Sequence, residues 1–103
     1  MNIKITKREK LKEVNNEMCH NYYYLIHGRI INDDDTMYKK FKFVLWFDAF
    51  DIQEFYEIDS YTKADITNYI NELIYSYTEL INSYDDTSYF YQICNESIEN
   101  YNK

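Results

Sequence analysis

From Ile66 onward, apolar side chains recur at alternating steps of four and three: Ile66, Ile70, Leu73, Tyr77, Leu80 and Tyr84. Tyr69, Ile74 and Ile81 widen the stripe, and Thr62-Lys63-Ala64-Asp65 supplies a start signal. The spacing predicts an amphipathic helix of about 20 residues, roughly 30 Å long, that must lay one face on other elements. In a chain of 103 residues, a single domain over 1–103 is the expected organisation.

The segments around this helix read as a small sheet flanked by further helices. Thr6-Lys7-Arg8-Glu9 fits a capping box, and Leu11, Val14 and Met18 follow at helical spacing, so a helix is expected over Lys7 to Cys19. Asn21 to Ile31, rich in Tyr, Ile and Leu, reads as a strand whose Gly28 marks a bulge or a close backbone approach. Asn32-Asp33-Asp34-Asp35-Thr36 is a turn by residue type. A second strand is expected from Met37 to Phe47, with Phe41, Phe43, Leu45 and Phe47 on one face and Lys40, Lys42, Val44 and Trp46 on the other. Asp48 to Asp51 reads as a connection, and alternation over Ile52 to Ile58 predicts a third antiparallel strand. After Asp85-Asp86-Thr87, the residues Phe90, Ile93, Cys94, Ser97, Ile98 and Tyr101 form a last helix. The expected class is α+β in the order αβββαα: a three-stranded antiparallel sheet covered by helices.

Composition narrows the function classes. Gly28 is the only glycine and proline is absent, which excludes Gly-rich phosphate loops. Apolar residues at 46 % rule out a disordered acidic tail. Lys, Asn, Ile, Tyr and Phe fill half the chain, a bias toward A/T-rich codons that suggests a gene of low GC content. The longest apolar run, Phe43 to Phe47, is far too short to span a bilayer and the start lacks an apolar signal core, so a cytoplasmic location is expected. Cys19, His20, His27 and Cys94 lack the spacing of a structural zinc site, and nothing local activates either thiol. No metal, cofactor or enzymatic activity is expected.

The net charge of −7 conceals an asymmetry. Residues 1–42 carry nine cations against six acids, a net +3; residues 43–103 carry twelve acids against Lys63 and Lys103, a net −10. Asp65, Glu72, Glu79 and Asp86 recur every seven residues and so line one helix stripe beside the apolar one, with Tyr75 next to them. Apart from Lys63, no Lys or Arg at three or four residues compensates them. Asp48, Asp51, Glu54, Glu57 and Asp59 form a second acidic cluster, and Asp85 adjoins Asp86. Such a surface repels nucleic acid and attracts a basic protein groove, and the 13 tyrosines suit an interface.

In size, acidity and element order the chain resembles the small anti-CRISPR proteins of phages and mobile elements, above all the acidic type II-A inhibitors that act as DNA mimics. The resemblance implies a non-enzymatic inhibitor that binds a Cas effector where it reads DNA, through Asp65, Glu72, Glu79, Asp86 and the cluster from Asp48 to Asp59. It implies no direct contact with nucleic acid and none with membrane. A second reading is a homodimeric interaction module whose self-interface is the Ile66–Tyr84 helix. A third is a nucleic-acid binder using Lys7, Arg8, Lys10 and Lys12 with Lys39, Lys40 and Lys42 as a basic patch; the acid that follows Lys63 departs from the basic helix start of double-stranded RNA-binding domains.

Overall fold

The structure, a computed structural model, describes residues 2–83 and 87–103, with side chains described except at 80–83. Tyr84, Asp85 and Asp86 therefore lie outside the described residues. Strand β2 (His20–Ile31) carries apolar or aromatic side chains toward both faces, which suits a central position. It pairs antiparallel with β1 (Asn2–Asn15) on one side and β3 (Met37–Asp48) on the other, giving the sheet order β1-β2-β3. Helices α1 (Ala49–Tyr56), α2 (Lys63–Ser83) and α3 (Thr87–Tyr101) follow. The class is α+β with a three-stranded antiparallel sheet, but the order is βββααα.

Two expected elements are corrected. Lys7 to Cys19 is not a helix: residues to Asn15 form β1, and Asn16 closes the hairpin by accepting the Met18 and Cys19 amides on its side chain. The helical spacing of Leu11 and Val14 came from two register breaks in β1, between Ile5 and Lys7 and between Lys10 and Lys12. Each leaves one residue, Thr6 or Leu11, without an opposite number, so the two-residue alternation is twice reset. The Lys7–Glu9 ion pair at 3.1 Å joins residues two apart, a strand neighbourhood rather than a helical one.

The second correction concerns Ile52 to Ile58, which is mostly the helix α1 instead of a third strand. Over so short a stretch, Ile52 and Tyr56 satisfy a period of four as well as a period of two. The deciding signal lies just upstream. The Asp48 carboxylate accepts the Asp51 amide at 2.8 Å while the Asp51 carboxylate accepts the Asp48 amide at 2.9 Å, a reciprocal N-terminal cap. Glu57 ends the helix in the left-handed region at φ 55°, and the Ile58 amide returns to the Gln53 carbonyl.

Pairing register sorts the side chains onto two faces. On the helix-covered face, Tyr22, Ile26 and Ile30 of β2 lie beside Phe41, Phe43, Leu45 and Phe47 of β3. Ile52 of α1, Ile70 and Ile74 of α2, and Phe90 and Cys94 of α3 close over them. Helix α3 also shields the free edge of β3, where the Ser97 hydroxyl accepts the Val44 amide at 2.9 Å. The other face of the sheet has no helix laid across it except at the flank where Tyr101 leans on Tyr23 (ring centroids 5.5 Å apart).

This aromatic core fixes an alkaline limit to stability. Burial pushes the Cys94 thiol up to about 12 from 9.0 and the Tyr91 phenol up to about 12 from 10.0, and also raises Tyr77 and Tyr22. Between the ordinary and the raised values the unfolded chain has released these protons while the native chain retains them. Stability is thus fully present below about pH 9 and falls as pH climbs toward about 12. A series of urea midpoints should decline across that window; a flat series would contradict this packing.

Candidate partner-binding surfaces

Because α1 is joined to α2 by a short loop and packs beside it, the two acidic clusters of the sequence meet. Phe55 lies 5.4 Å from Tyr69, and Tyr56 lies 6.5 Å from Tyr69. Their phenols register the surrounding charge. Tyr69 is raised by burial and then by the fields of Asp51 and Asp48, and Tyr56 by burial and then by Glu72 and Asp65.

The predicted residues nevertheless divide into two groups. Asp48 and Asp51 cap α1, and Asp65 caps α2 by accepting the Thr62 amide at 2.9 Å. These three carboxylates are half-buried and held by the backbone. Glu54, Glu57, Asp59, Glu72 and Glu79 are exposed, and none has an ion-pair partner among the described residues. Glu79 accepts a hydrogen bond from Tyr75, which raises that phenol. Apolar rings stand among the free carboxylates: Phe50 is 73 % exposed and Tyr75 61 %, with Phe55 also in solvent. Phe50, Glu54, Glu57, Ile58 and Asp59 line a shallow concavity of about 400 Å³. Asp85 and Asp86 lie outside the described residues.

No family model, curated protein or solved structure matches the chain. Its surfaces therefore carry the functional argument by themselves.

The cations of the first 42 residues also divide. Lys4, Arg29 and Lys40 lie opposite one another across the three strands, and Lys7, His27 and Lys42 form the next row. Both rows are on the face without helices. Arg8 and Lys10 point the other way, into a cleft of about 520 Å³ between β1 and the start of α2 that Lys63 also lines. Lys39 sits over the Tyr91 ring, 4.0 Å from its centre.

The opposite end of the sheet, where β1 turns into β2, holds a hydrogen-bonded chain that the sequence did not disclose. Glu13 accepts from Lys10 and from His20 Nε2 (2.9 Å), which holds its carboxyl below the usual range. His20 Nδ1 meets the Tyr61 hydroxyl at 3.3 Å, and that hydroxyl lies 2.8 Å from the Tyr22 hydroxyl. In the neutral tautomer that donates to Glu13 from Nε2, Nδ1 accepts from the Tyr61 hydroxyl. Burial raises the Tyr22 phenol, and the chain ties the β1–β2 hairpin to the loop before α2. A hairpin reading, which sets Glu13 opposite Tyr22, was the one signal able to reveal it.

Among the described residues no three His, Cys, Asp or Glu side chains converge to hold a metal ion, and no helix is long and apolar enough to cross a membrane. Cys94 is buried with its thiol raised, the opposite of an activated nucleophile.

Proposed function

We propose that the protein is a non-enzymatic inhibitor that docks its α1–α2 face in the basic groove of a nucleic-acid-processing protein, for which the resemblance to anti-CRISPR proteins, now one of size and acidity without the element order, nominates a Cas effector. The observation that carries this reading is the composition of one face. Glu54, Glu57 and Asp59 line the concavity beside the exposed Phe50, and Glu72 and Glu79 act on the exposed Tyr75, with none of the five carboxylates holding a cationic partner among the described residues. Unpaired like charge lowers the stability of a helix, and exposed rings gain area when covered. Both terms favour a bound state with a positively charged partner. The capping acids Asp48, Asp51 and Asp65 shape this face, and the contact belongs to Glu54, Glu57, Asp59, Glu72, Tyr75 and Glu79. The homodimer reading has less behind it, since Ile70 and Ile74 of the stripe are buried within the monomer.

The test is a target-DNA binding assay with a guide-loaded type II-A effector. The protein should abolish DNA binding, and a variant with Glu54→Lys, Glu57→Lys, Glu72→Lys and Glu79→Lys should lose that effect while keeping its circular dichroism. DNA binding that persists with the unmodified protein present, or a charge-reversed variant that still blocks, overturns the proposal.

A further inference from the structure

We infer that the open face of the sheet is a binding surface for single-stranded nucleic acid, independent of the acidic helical face. Lys4–Arg29–Lys40 places three like charges directly opposite one another across the sheet, an arrangement that works against strand pairing, and in the next row Lys42 lies beside His27 while Lys7 pairs with Glu9 at 3.1 Å. Lys4, Arg29, Lys40 and Lys42 are all exposed, and none has an acidic partner among the described residues. His27, between two lysines, has a buried Nε2 atom without a hydrogen-bond partner among the described residues. In a protein of net charge −7, this collection of unneutralised cations is not a consequence of bulk composition. It is a local positive field on the one broad surface that the helices leave open.

Farther along the same face the chemistry changes from charge to rings. Tyr23 and Trp46 lie opposite each other on neighbouring strands, their rings 18° from parallel and 6.4 Å apart. Trp46 is 61 % exposed although it sits mid-strand. Beside it, around the edge of β3, runs a groove of about 490 Å³ lined by Tyr23, Val44, Trp46, Tyr77, Ser97, Asn100 and Tyr101. Same-face rows are about 7 Å apart along a strand, so the cationic rows and the ring pair fall within roughly 20 Å of one another. One short oligonucleotide can meet both. Its phosphates match the Lys and Arg rows, and an unpaired base has a free face to stack on Trp46. A duplex keeps its bases stacked internally and offers Trp46 nothing equivalent. The occupant that uses both halves of the surface is therefore a single strand.

The two halves also give the test two separable readouts. A labelled single strand of about 12 nucleotides, as RNA and as DNA, is titrated with the whole protein by fluorescence anisotropy from about 50 to 200 mM salt. Binding should weaken with salt, each neutralised phosphate contributing about −0.7 to the slope of log K against log salt. The Arg29→Ala/Lys40→Ala variant should bind about tenfold more weakly with a shallower slope, by about 1.4. It should also be at least as stable as the parent, because like-charge opposition is relieved. Trp46→Ala should weaken binding about tenfold with the slope unchanged, since stacking carries no counterion release. Absence of binding at low salt, a duplex bound as tightly as the single strand, or unchanged affinity in both variants overturns the inference. The variant reversed at Glu54, Glu57, Glu72 and Glu79 should bind the oligonucleotide at least as well as the parent, so failure of the acidic face and failure of this one are told apart.

Discussion

Replacing Phe43 by alanine should cost about 3–5 kcal/mol and lower the melting temperature by about 15 to 30 °C. Phe43 is fully buried midway along β3 and lies opposite Ile26. Tyr77 of α2 stacks on it face to face, with ring centres 4.2 Å apart and planes within 1°. Phe41 flanks it at 6.0 Å. Truncation removes the ring on which α2 rests, and rigid strand neighbours cannot collapse into the gap. Because a domain of this size has only about 5–15 kcal/mol of total stability, the variant should stand close to its unfolding threshold at 37 °C. Tyr77→Phe, which keeps the stack and removes only a hydroxyl, should change the melting temperature little. Calorimetry on the two variants checks the pair; a shift below about 5 °C for Phe43→Ala would refute this account of the core.

Gly28→Ala should be the next most damaging single change, costing about 1–3 kcal/mol for the addition of one methyl group. The backbone of Gly28 is not in the left-handed region, so conformational freedom is not the reason. Space is. A Cβ at this position would fall 2.3 Å from Phe41 Cζ and 2.9 Å from both Cε atoms. The Phe41 ring cannot swing away freely, being stacked on Phe43 and met edge-on by Phe90 at 5.0 Å. The strand gives up a side chain so that a neighbouring ring can lie across it, a known way of protecting a glycine in a sheet. Gly28→Ala combined with Phe41→Leu should therefore cost less than the sum of the two single changes, by about 1 kcal/mol or more. Strict additivity in urea midpoints would show that the ring and the methyl do not collide.

These two positions also show what was legible in the sequence. Phe41, Phe43, Leu45 and Phe47 read directly as one buried face, because a regular strand alternates strictly and nothing interrupts it. Gly28 reads as a bulge or a close backbone approach, and what comes close is the ring of Phe41. The α2 stripe was equally plain through Tyr77. The failures occurred where a local pattern fits two periods. Thr6 and Leu11 break the alternation of β1 and turn a strand into an apparent helix, and Thr6-Lys7-Arg8-Glu9 imitates a cap that the fold does not use. In Ile52 to Ile58 the competing periods share Ile52 and Tyr56, and the Asp48–Asp51 cap that decides between them was assigned to surface charge instead. The acidic face was readable as charge, but not which carboxylates hold backbone amides. The rows on the open face were not readable, because opposition of Lys4, Arg29 and Lys40 exists only once three strands are in register.

The helix-covered side of β1 carries Arg8, Lys10 and Glu13 where β2 and β3 carry large apolar groups, and only Ile3 and Ile5 pack against the buried cluster. Most of this strand is therefore attached by its ladder of backbone hydrogen bonds and by the Glu13–His20–Tyr61 tie, not by burial. Local opening should follow that division. The β1 strand can fray from the sheet at a free-energy cost well below that of global unfolding, while the Phe43 cluster stays shut. Its departure would carry Lys4 and Lys7 away from Arg29 and Lys42, so the cationic rows are complete only while the least securely held strand is docked.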